Sequence, residues 1–129
     1  CKKIFGIDNN KFSIKNAQKN ATLNHIKNAE FIVADLNKSF KYIISEHEIP
    51  EPDLIILDPP RAGLNPRTIK NIIDFSPSKI IYVSCNPTTQ ARDINELMEN
   101  DYLVDTIQPV DMFPHTPHIE SIIKLIKAN

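Results

Sequence analysis

Glycine, cysteine and tryptophan are scarce in this sequence: its 129 residues include two glycines, two cysteines and no tryptophan. The cysteines, Cys1 and Cys85, provide neither a disulfide framework nor the ligand spacing of a zinc site, which suits a reducing, cytoplasmic setting. The glycines, Gly6 and Gly63, are few for a nucleotide-binding domain, because such domains use glycine-rich turns to approach a phosphate. The two cysteines thus exclude a small fold that is stabilised by several disulfides or by a structural zinc site.

An excess of one charge and long apolar runs are also lacking. The formal net charge is −1, so no overall basic field attracts nucleic acid, and any such attraction has to be local. No apolar run is long enough to span a bilayer and no secretory signal peptide is recognisable, so no membrane partner is expected. The length suits one domain, residues 1–129.

Apolar, β-branched runs alternate with segments of helical periodicity along most of the chain. Strands are predicted at 3–8, 29–33, 53–57, 79–83, 102–110 and 119–126, and helices at 11–24, 36–48, 66–75 and from about 88 to 100. This alternation predicts an α/β fold with a mostly parallel sheet. The last two strands have no helix between them, which predicts an antiparallel edge.

Chemically useful side chains stand where four successive strands are predicted to end. Asp8, Asp35 and Asp58 follow the first three strands, and Cys85 follows the fourth. Ligands bind at the carboxyl ends of such strands, and a carboxylate after the second strand can accept both hydroxyls of a ribose. The bland alternatives stay open, because Asp favours turns for its own reasons and a lone Cys is often a small buried hydrophobe.

Cys85 lies in the segment KIIYVSCNPTTQARD, residues 79–93. A buried strand gives way to a loop at Pro87, which lacks the N–H that a sheet ladder requires. Thr88 or Thr89 is predicted to cap the helix that follows. Cys85 is therefore expected on an accessible loop between a strand and a helix.

Three motifs together resemble one enzyme family: DPPRAGL at 58–64, YVSCNPTTQARD at 82–93 and DMFPHTPHIES at 111–121. They resemble the S-adenosylmethionine-dependent RNA 5-methyluridine methyltransferases, which methylate uracil C5 in ribosomal or transfer RNA. The resemblance implies a Rossmann-like class I methyltransferase sheet lacking its first strand–helix unit. It also implies that the chain is the catalytic part of a longer enzyme, without the upstream glycine-rich turn and RNA-binding domains, and inactive by itself.

The resemblance also implies roles for five residues. Cys85 is the nucleophile that adds to uracil C6, and Glu120 is the base that removes the C5 proton. Asp8 and Asp35 contact S-adenosylmethionine, and Asp58 lies where the cofactor and the target base meet. The implied partner is RNA, with 23S rRNA preferred over tRNA as the substrate.

Two rival functions follow from the same residues. DPPR resembles the D/N-PP-x tetrad of amino-group methyltransferases, but those enzymes need no cysteine. Cytosine-C5 methyltransferases do use a cysteine, but they lack the late HTPHIE motif. A non-catalytic RNA-binding remnant is a third possibility, against which the neutral overall charge argues.

Several supporting roles stay open in the sequence. Arg92 or the start of the helix after Pro87 is a candidate for stabilising a Cys85 thiolate. Ser84 and Asn86 are candidate hydrogen-bond donors near Cys85. Arg61 suits an RNA phosphate or a surface ion pair equally well.

His115 and His118 invite a zinc site with Cys85. Pro117 makes a helical metal-binding face improbable, and no fourth ligand is evident. No metal is therefore predicted, and the two histidines are expected to shape the loop that carries Glu120.

Overall fold

The computed structural model describes residues 1–36 and 40–128. The chain divides into two compact units, which we call the amino-terminal unit, Cys1–Pro50, and the carboxy-terminal unit, Glu51–Asn129. Each unit contains a parallel pair of strands with a helix in the connection, as the alternating sequence pattern predicts.

The amino-terminal unit is built on one parallel strand pair. Its elements are β1 (Ile4–Asp8), α1 (Lys11–Leu23), β2 (Ala29–Val33) and α2 (Phe40–Glu46). β1 and β2 pair in register from Ile4 opposite Ala29 to Asp8 opposite Val33. The helix predicted at 36–48 is seen from Phe40 to Glu46, and positions 37–39 of that prediction lie outside the described residues.

α1 begins where the sequence predicts, because the Asn10 side chain accepts hydrogen bonds from the N–H groups of Phe12 and Ser13. Ile14 and Ala21 form its buried face. Phe12 and Leu23 are also apolar but are 80% and 65% exposed. Each lies two residues from a buried position, which is about 200° around the helix and so on the opposite side.

The carboxy-terminal unit contains a four-stranded sheet. Its elements are β3 (Leu54–Leu57), α3 (Pro66–Phe75), β4 (Lys79–Ser84), α4 (Pro87–Met98), β5 (Tyr102–Val110) and β6 (Glu120–Lys127). The strand order is β3-β4-β6-β5, in which β3 is parallel to β4 and β6 is antiparallel to both of its neighbours. The predicted α/β class with parallel pairs and an antiparallel carboxy-terminal edge is confirmed.

One hydrophobic cluster forms the core of this unit. Its buried members are Leu57, Leu64, Ile69, Ile72, Ile80, Tyr82, Ile94, Leu97, Tyr102, Ile123 and Leu125. Alternate residues of β4 and β6 contribute to it, as the two-residue period of a strand requires. Tyr102 also closes the core near the start of β4, where its hydroxyl donates to the Pro77 carbonyl at 2.9 Å.

β5 is irregular along its length. Its register with β6 shifts between Val104 and Thr106, which leaves Asp105 at a bulge. Lys124 on β6 lies 2.9 Å from the Asp105 carboxylate. Hydrogen bonds from Lys124 and Thr106 hold the pKa of Asp105 below its usual value.

The prediction that Thr88 or Thr89 caps α4 is wrong. The cap is Asn86, whose side chain accepts from the N–H of Thr88, and Pro87 occupies the first position of the helix. Proline suits that position because its missing N–H would have no partner inside the helix. The helix therefore begins two residues after Cys85.

Candidate active site

Cys85 and Glu120 lie at the same edge of the carboxy-terminal sheet. Ser84, the last residue of β4, pairs with Ser121 on β6. Cys85 follows Ser84 and Glu120 precedes Ser121, so both residues lie just beyond this last pair, at the same end of the two strands. Both residues are partly accessible. A thiol and a carboxylate therefore lie at one accessible edge of the sheet.

Asp58 joins them at this edge. It follows Leu57, the last residue of β3, which pairs with Tyr82 of the parallel strand β4. Asp58 is exposed and comes directly after this last pair, at the carboxyl end of β3. The sheet thus brings together three of the five predicted site residues.

The backbone around Cys85 is fixed by its two neighbours. The buried Ser84 hydroxyl accepts from the Asn86 N–H at 3.0 Å and donates to the Asn86 carbonyl at 3.2 Å. This turn follows the strand directly, so Cys85 is held by hydrogen bonds on both sides. The role of Ser84 and Asn86 as hydrogen-bond donors to the Cys85 thiolate or the target base stays a prediction.

The loop that follows Asp58 is tied to α4. The Asn86 amide donates to the Arg61 carbonyl at 3.0 Å, and the Thr89 hydroxyl donates to the same carbonyl at 3.1 Å. The Arg61 side chain is exposed. One helix start therefore fixes the loops that carry both Asp58 and Cys85.

Asp93 is a buried carboxylate that binds three parts of the unit. It is 0% exposed and accepts from the Tyr82 hydroxyl at 2.6 Å and from the Leu64 N–H at 2.7 Å. Arg92 donates to its other oxygen from Nε at 2.9 Å and from Nη2 at 2.7 Å. Burial, together with the hydrogen bond to Asp93, raises the pKa of Tyr82 above its usual range.

Arg92 is engaged with the same loop. Its Nη2 also donates to the carbonyls of Ala62 and Leu64, at 3.1 and 3.3 Å. These contacts argue for a role in holding the loop rather than for stabilising a Cys85 thiolate. The amino-terminal end of α4 remains the candidate for that task, because the positive end of a helix favours a nearby anion.

Gly63 makes the close packing of this loop possible. It has φ +79°, and a Cβ atom there would lie 2.6 Å from Asp93 Oδ2 and 2.8 Å from Arg92 Nη2. Any other residue would meet both backbone strain and collision. An open cavity lies beside the loop, lined by residues that include Asn65, Arg92 and Glu96.

The two remaining predicted residues lie in the amino-terminal unit. Asp8 ends β1 and is exposed, and Asp35 follows β2 and is partly buried. Because β1 and β2 are parallel, both carboxylates stand at the same edge of this strand pair. Asp8 Oδ1 accepts from the Asn10 N–H at 2.8 Å. Two carboxylates at one edge suit the hydroxyl groups of a ribose.

The loop between β5 and β6 is exposed throughout positions 111–119. Thr116 closes a turn by donating from its N–H and its hydroxyl to the Phe113 carbonyl, at 3.1 and 2.8 Å. His115 has φ 70°, and the His118 N–H donates to the Thr116 hydroxyl at 3.3 Å. The histidines therefore belong to the loop that leads into Glu120, as expected.

Residues 1–36 and 40–128 contain no group of three or more His, Cys, Asp or Glu side chains that is arranged to hold a metal ion. None of the described helices has both the length and the apolar character needed to cross a membrane.

The burial of Gln90 and Asp93 was not predicted from the sequence, yet these residues are 1% and 0% exposed. A signal was present, because Gln90, Asp93, Ile94 and Leu97 follow the i, i+3, i+4, i+7 spacing of one helix face. Polar residues on a face that also carries Ile94 and Leu97 are buried, and buried polar groups need partners.

The architecture is that of a methyltransferase. N-methyltransferase NodS from Bradyrhizobium japonicum superposes with a TM-score of 0.74 at 14% identity, over 100% of this chain and 75% of that chain. At this level of identity the likeness concerns the fold alone.

The chain belongs to the tRNA (uracil-5-)-methyltransferase family, whose sequence model matches residues 1–128. tRNA (uracil(54)-C(5))-methyltransferase from Pyrococcus furiosus is 45% identical over 123 residues, which are 95% of this chain and 27% of that protein. The crystal structure of Pyrococcus abyssi tRNA (uracil-54, C5)-methyltransferase in complex with S-adenosyl-L-homocysteine superposes with a TM-score of 0.82 at 43% identity, over 96% of this chain and 29% of that chain. The resemblance stated from the three motifs is confirmed.

The length of these relatives limits what can be transferred from them. The chain spans about 27% of the length of the curated relatives that it matches. Their activities and substrates therefore support proposals for this chain rather than findings.

Proposed function

We propose that the protein containing this chain transfers a methyl group from S-adenosylmethionine to C5 of a uridine in RNA. The single observation that carries the proposal is the pairing of Ser84 with Ser121, because Cys85 and Glu120 are the next residues at that end of the strand pair. Uracil C5 becomes nucleophilic only after a nucleophile adds at C6, and its proton has to leave after methylation. A thiol and a carboxylate at one edge meet both needs.

In the proposed reaction the Cys85 thiolate forms a bond to uracil C6, and the electron pair moves to C5. S-adenosylmethionine, when bound, supplies the electrophilic methyl group. Glu120 then takes the proton from C5, and the electrons of that C–H bond expel the Cys85 sulfur from C6. The two residues thus divide one difficult substitution into an addition and an elimination.

The cofactor is proposed to bind through Asp8 and Asp35 at the end of the amino-terminal strand pair. Carboxylates in this position accept hydrogen bonds from ribose hydroxyls. Asp58, which is exposed at the carboxyl end of β3, is proposed to lie where the cofactor meets the base. The target uridine has to leave its stack to reach Cys85, so a loop or a flipped base is the expected form of the RNA.

Two RNA classes are candidates. The sequence motifs led us to prefer 23S rRNA as the substrate. The two uracil-54 methyltransferases described above are named as tRNA enzymes. These names support tRNA as the other candidate substrate. Methylation of matched rRNA and tRNA fragments by the whole protein distinguishes them.

Trapping with RNA that contains 5-fluorouridine tests the chemistry, since fluorine at C5 prevents the elimination that releases Cys85. The wild-type whole protein is expected to form a covalent RNA complex, and Cys85→Ala is expected to form none and to lose methylation. Normal methylation by Cys85→Ala would reject the proposal. RNA binding without an adduct or methylation would identify a non-catalytic RNA-binding protein.

Glu120→Gln separates the two steps. Glutamine keeps the shape of the side chain but cannot take a proton. With ordinary uridine RNA we expect this variant to transfer the methyl group and then to accumulate the covalent complex, seen as a retarded band on a denaturing gel. Turnover without that band would assign the base to another residue.

A further inference from the structure

Gln90 is a buried side chain that bridges two strands of the carboxy-terminal sheet. It lies in the first turns of α4 and is 1% exposed. Its Nε2 donates to the Tyr82 carbonyl on β4 at 2.8 Å and to the Ser121 carbonyl on β6 at 3.1 Å. One amide group therefore bonds the backbones of both strands that lead to the proposed catalytic pair.

The two carbonyls lie close to the strand ends that lead to Cys85 and Glu120. Ser121 pairs with Ser84 at the last step of the register between β4 and β6. Tyr82 pairs with Ile123 two residues earlier. The Gln90 amide therefore adds a side-chain bridge to the backbone ladder near its end.

The amide oxygen of Gln90 gives no stabilising reason for a polar side chain at this position. Gln90 Oε1 is buried and has no hydrogen-bond partner among the residues that the structure describes. Methionine would fill a similar volume without burying an unpaired acceptor. The two donor bonds of Gln90 are therefore the feature that distinguishes it from an apolar residue at this position.

We propose that Gln90 is a positioning residue that sets the spacing between Cys85 and Glu120. This inference rests on the proposed function of those two residues. Ser121 is next to Glu120, and Tyr82 lies in β4 three residues before Cys85, which follows the end of that strand. Bonds to both carbonyls hold the two strand ends at a fixed separation, which is what an addition followed by a proton transfer on one base requires.

Gln90→Met in the whole protein tests the proposal, because methionine keeps the length of the side chain and removes the donor. We expect kcat to fall by about 10- to 100-fold, the scale of loss from small misplacements of reacting groups. The KM values for RNA and S-adenosylmethionine are expected to stay within about twofold of wild type, since Gln90 contacts neither substrate in this proposal.

Tyr102→Phe is the matched control. It also removes one buried hydrogen bond to a backbone carbonyl, that of Pro77, in the same unit but away from the catalytic edge. We expect it to lower the melting temperature while kcat remains near the wild-type value. A fall in kcat that is equal in the two variants would overturn the positioning role, as would a folded Gln90→Met variant with wild-type kcat.

Gln90→Leu keeps the inference testable if Gln90→Met does not fold, because leucine also removes the amide donor and has a different apolar shape. The same fall in kcat at unchanged KM is expected, and wild-type kcat in the folded variant overturns the inference. Trapping with 5-fluorouridine RNA accompanies each assay. A normal yield of adduct with a reduced kcat supports misplacement, whereas a wild-type protein that forms no adduct overturns the proposed function and this inference with it.

Discussion

The two units of the chain use the same strand–helix–strand motif but bury it very differently. The amino-terminal unit buries Ile14, Ala21, Ile32 and Ile43 around one strand pair, whereas the carboxy-terminal unit has an eleven-residue core. A two-stranded sheet is marginal by itself, and three or more strands over an apolar face are the usual requirement for stability. The carboxy-terminal unit meets that requirement.

The units also differ in how they hold their polar groups. The side-chain hydrogen bonds described in the amino-terminal unit, such as that of Asn10, are exposed and mostly local. In the carboxy-terminal unit Asp93, Gln90 and Tyr102 make buried bonds between elements distant in sequence. Buried bonds fix geometry because a broken one leaves an unsatisfied group. The edge that carries Cys85 and Glu120 is therefore held more rigidly than the edge of the amino-terminal unit that carries Asp8 and Asp35.

Removing the charge of Asp93 should break this support most severely. In Asp93→Asn the Leu64 N–H, the Tyr82 hydroxyl and Arg92 lose a shared carboxylate. We expect the free energy of unfolding to fall by about 3 kcal/mol, because the hydrogen bonds of two buried donors are weakened, whereas Arg92 is more than half exposed and adds little. Urea unfolding measures the change. Asp74→Asn is the control, since Asp74 is exposed on α3 and should change stability by less than about 0.5 kcal/mol.

Hydrogen exchange should show the difference between the units directly. The β6 amides, which have a paired strand on each side, are expected to exchange at least about 100-fold more slowly than those of β1, a difference of about 2.7 kcal/mol. Equal rates in β1 and β6 would instead show that the two units open together.

Adding one methyl group to each glycine sharpens the comparison. Gly63→Ala puts a Cβ 2.6 Å from Asp93 Oδ2 at φ +79°, and we expect a loss of about 2 kcal/mol or more from strain and collision. Gly6→Ala meets only the Phe31 ring, at 2.8 Å, and an aromatic side chain can turn aside. A loss of about 1 kcal/mol is expected there, and thermal unfolding of both variants is the measurement. A larger loss for Gly6→Ala would contradict the ranking.

The smallest expected effect is a change in alkaline stability. The pKa of Tyr82 is raised in the folded state, by burial first and by Asp93 second, so its contribution is complete below about pH 10 and is lost as the pH rises further. In Tyr82→Phe the decline of unfolding free energy above about pH 10 should be shallower by up to about 1.4 kcal/mol per pH unit. Tyr102, whose pKa burial also raises, retains part of the slope. Identical slopes in wild type and variant would refute the assignment.

Much of the fold follows from the sequence because its signals are local. α3 begins and ends where predicted, since Pro66 and the cap at Asn65 mark its start and Ser76 in the left-handed region ends it. The alternation of strands and helices gave the parallel pairs and the antiparallel edge. The cap of α4 was assigned to the wrong residue because Asn86, Thr88 and Thr89 are all good caps, and only the position of Pro87 in the helix decides among them.

The positions of the candidate site residues could be predicted only in part. The places where strands end follow from apolar runs, so Asp58 and Cys85 could be expected at one edge. That Glu120 begins a strand at the same edge depends on the antiparallel insertion of β6 between β4 and β5, which no local pattern specifies. The partners of Gln90 and Asp93 depend on contacts with residues far away in the chain, and such contacts have no signature in a single sequence.

The bulge in β5 has a consequence for how the protein behaves at high concentration. β5 is an outer strand of the four-stranded sheet, and a long, regular outer strand is a template on which other chains aggregate. Here the register shift at Asp105, its charged carboxylate and Pro109 interrupt the row of backbone donors. These three features make it harder for a strand of another chain to pair with β5. The irregularities of β5 therefore oppose self-assembly into fibrils.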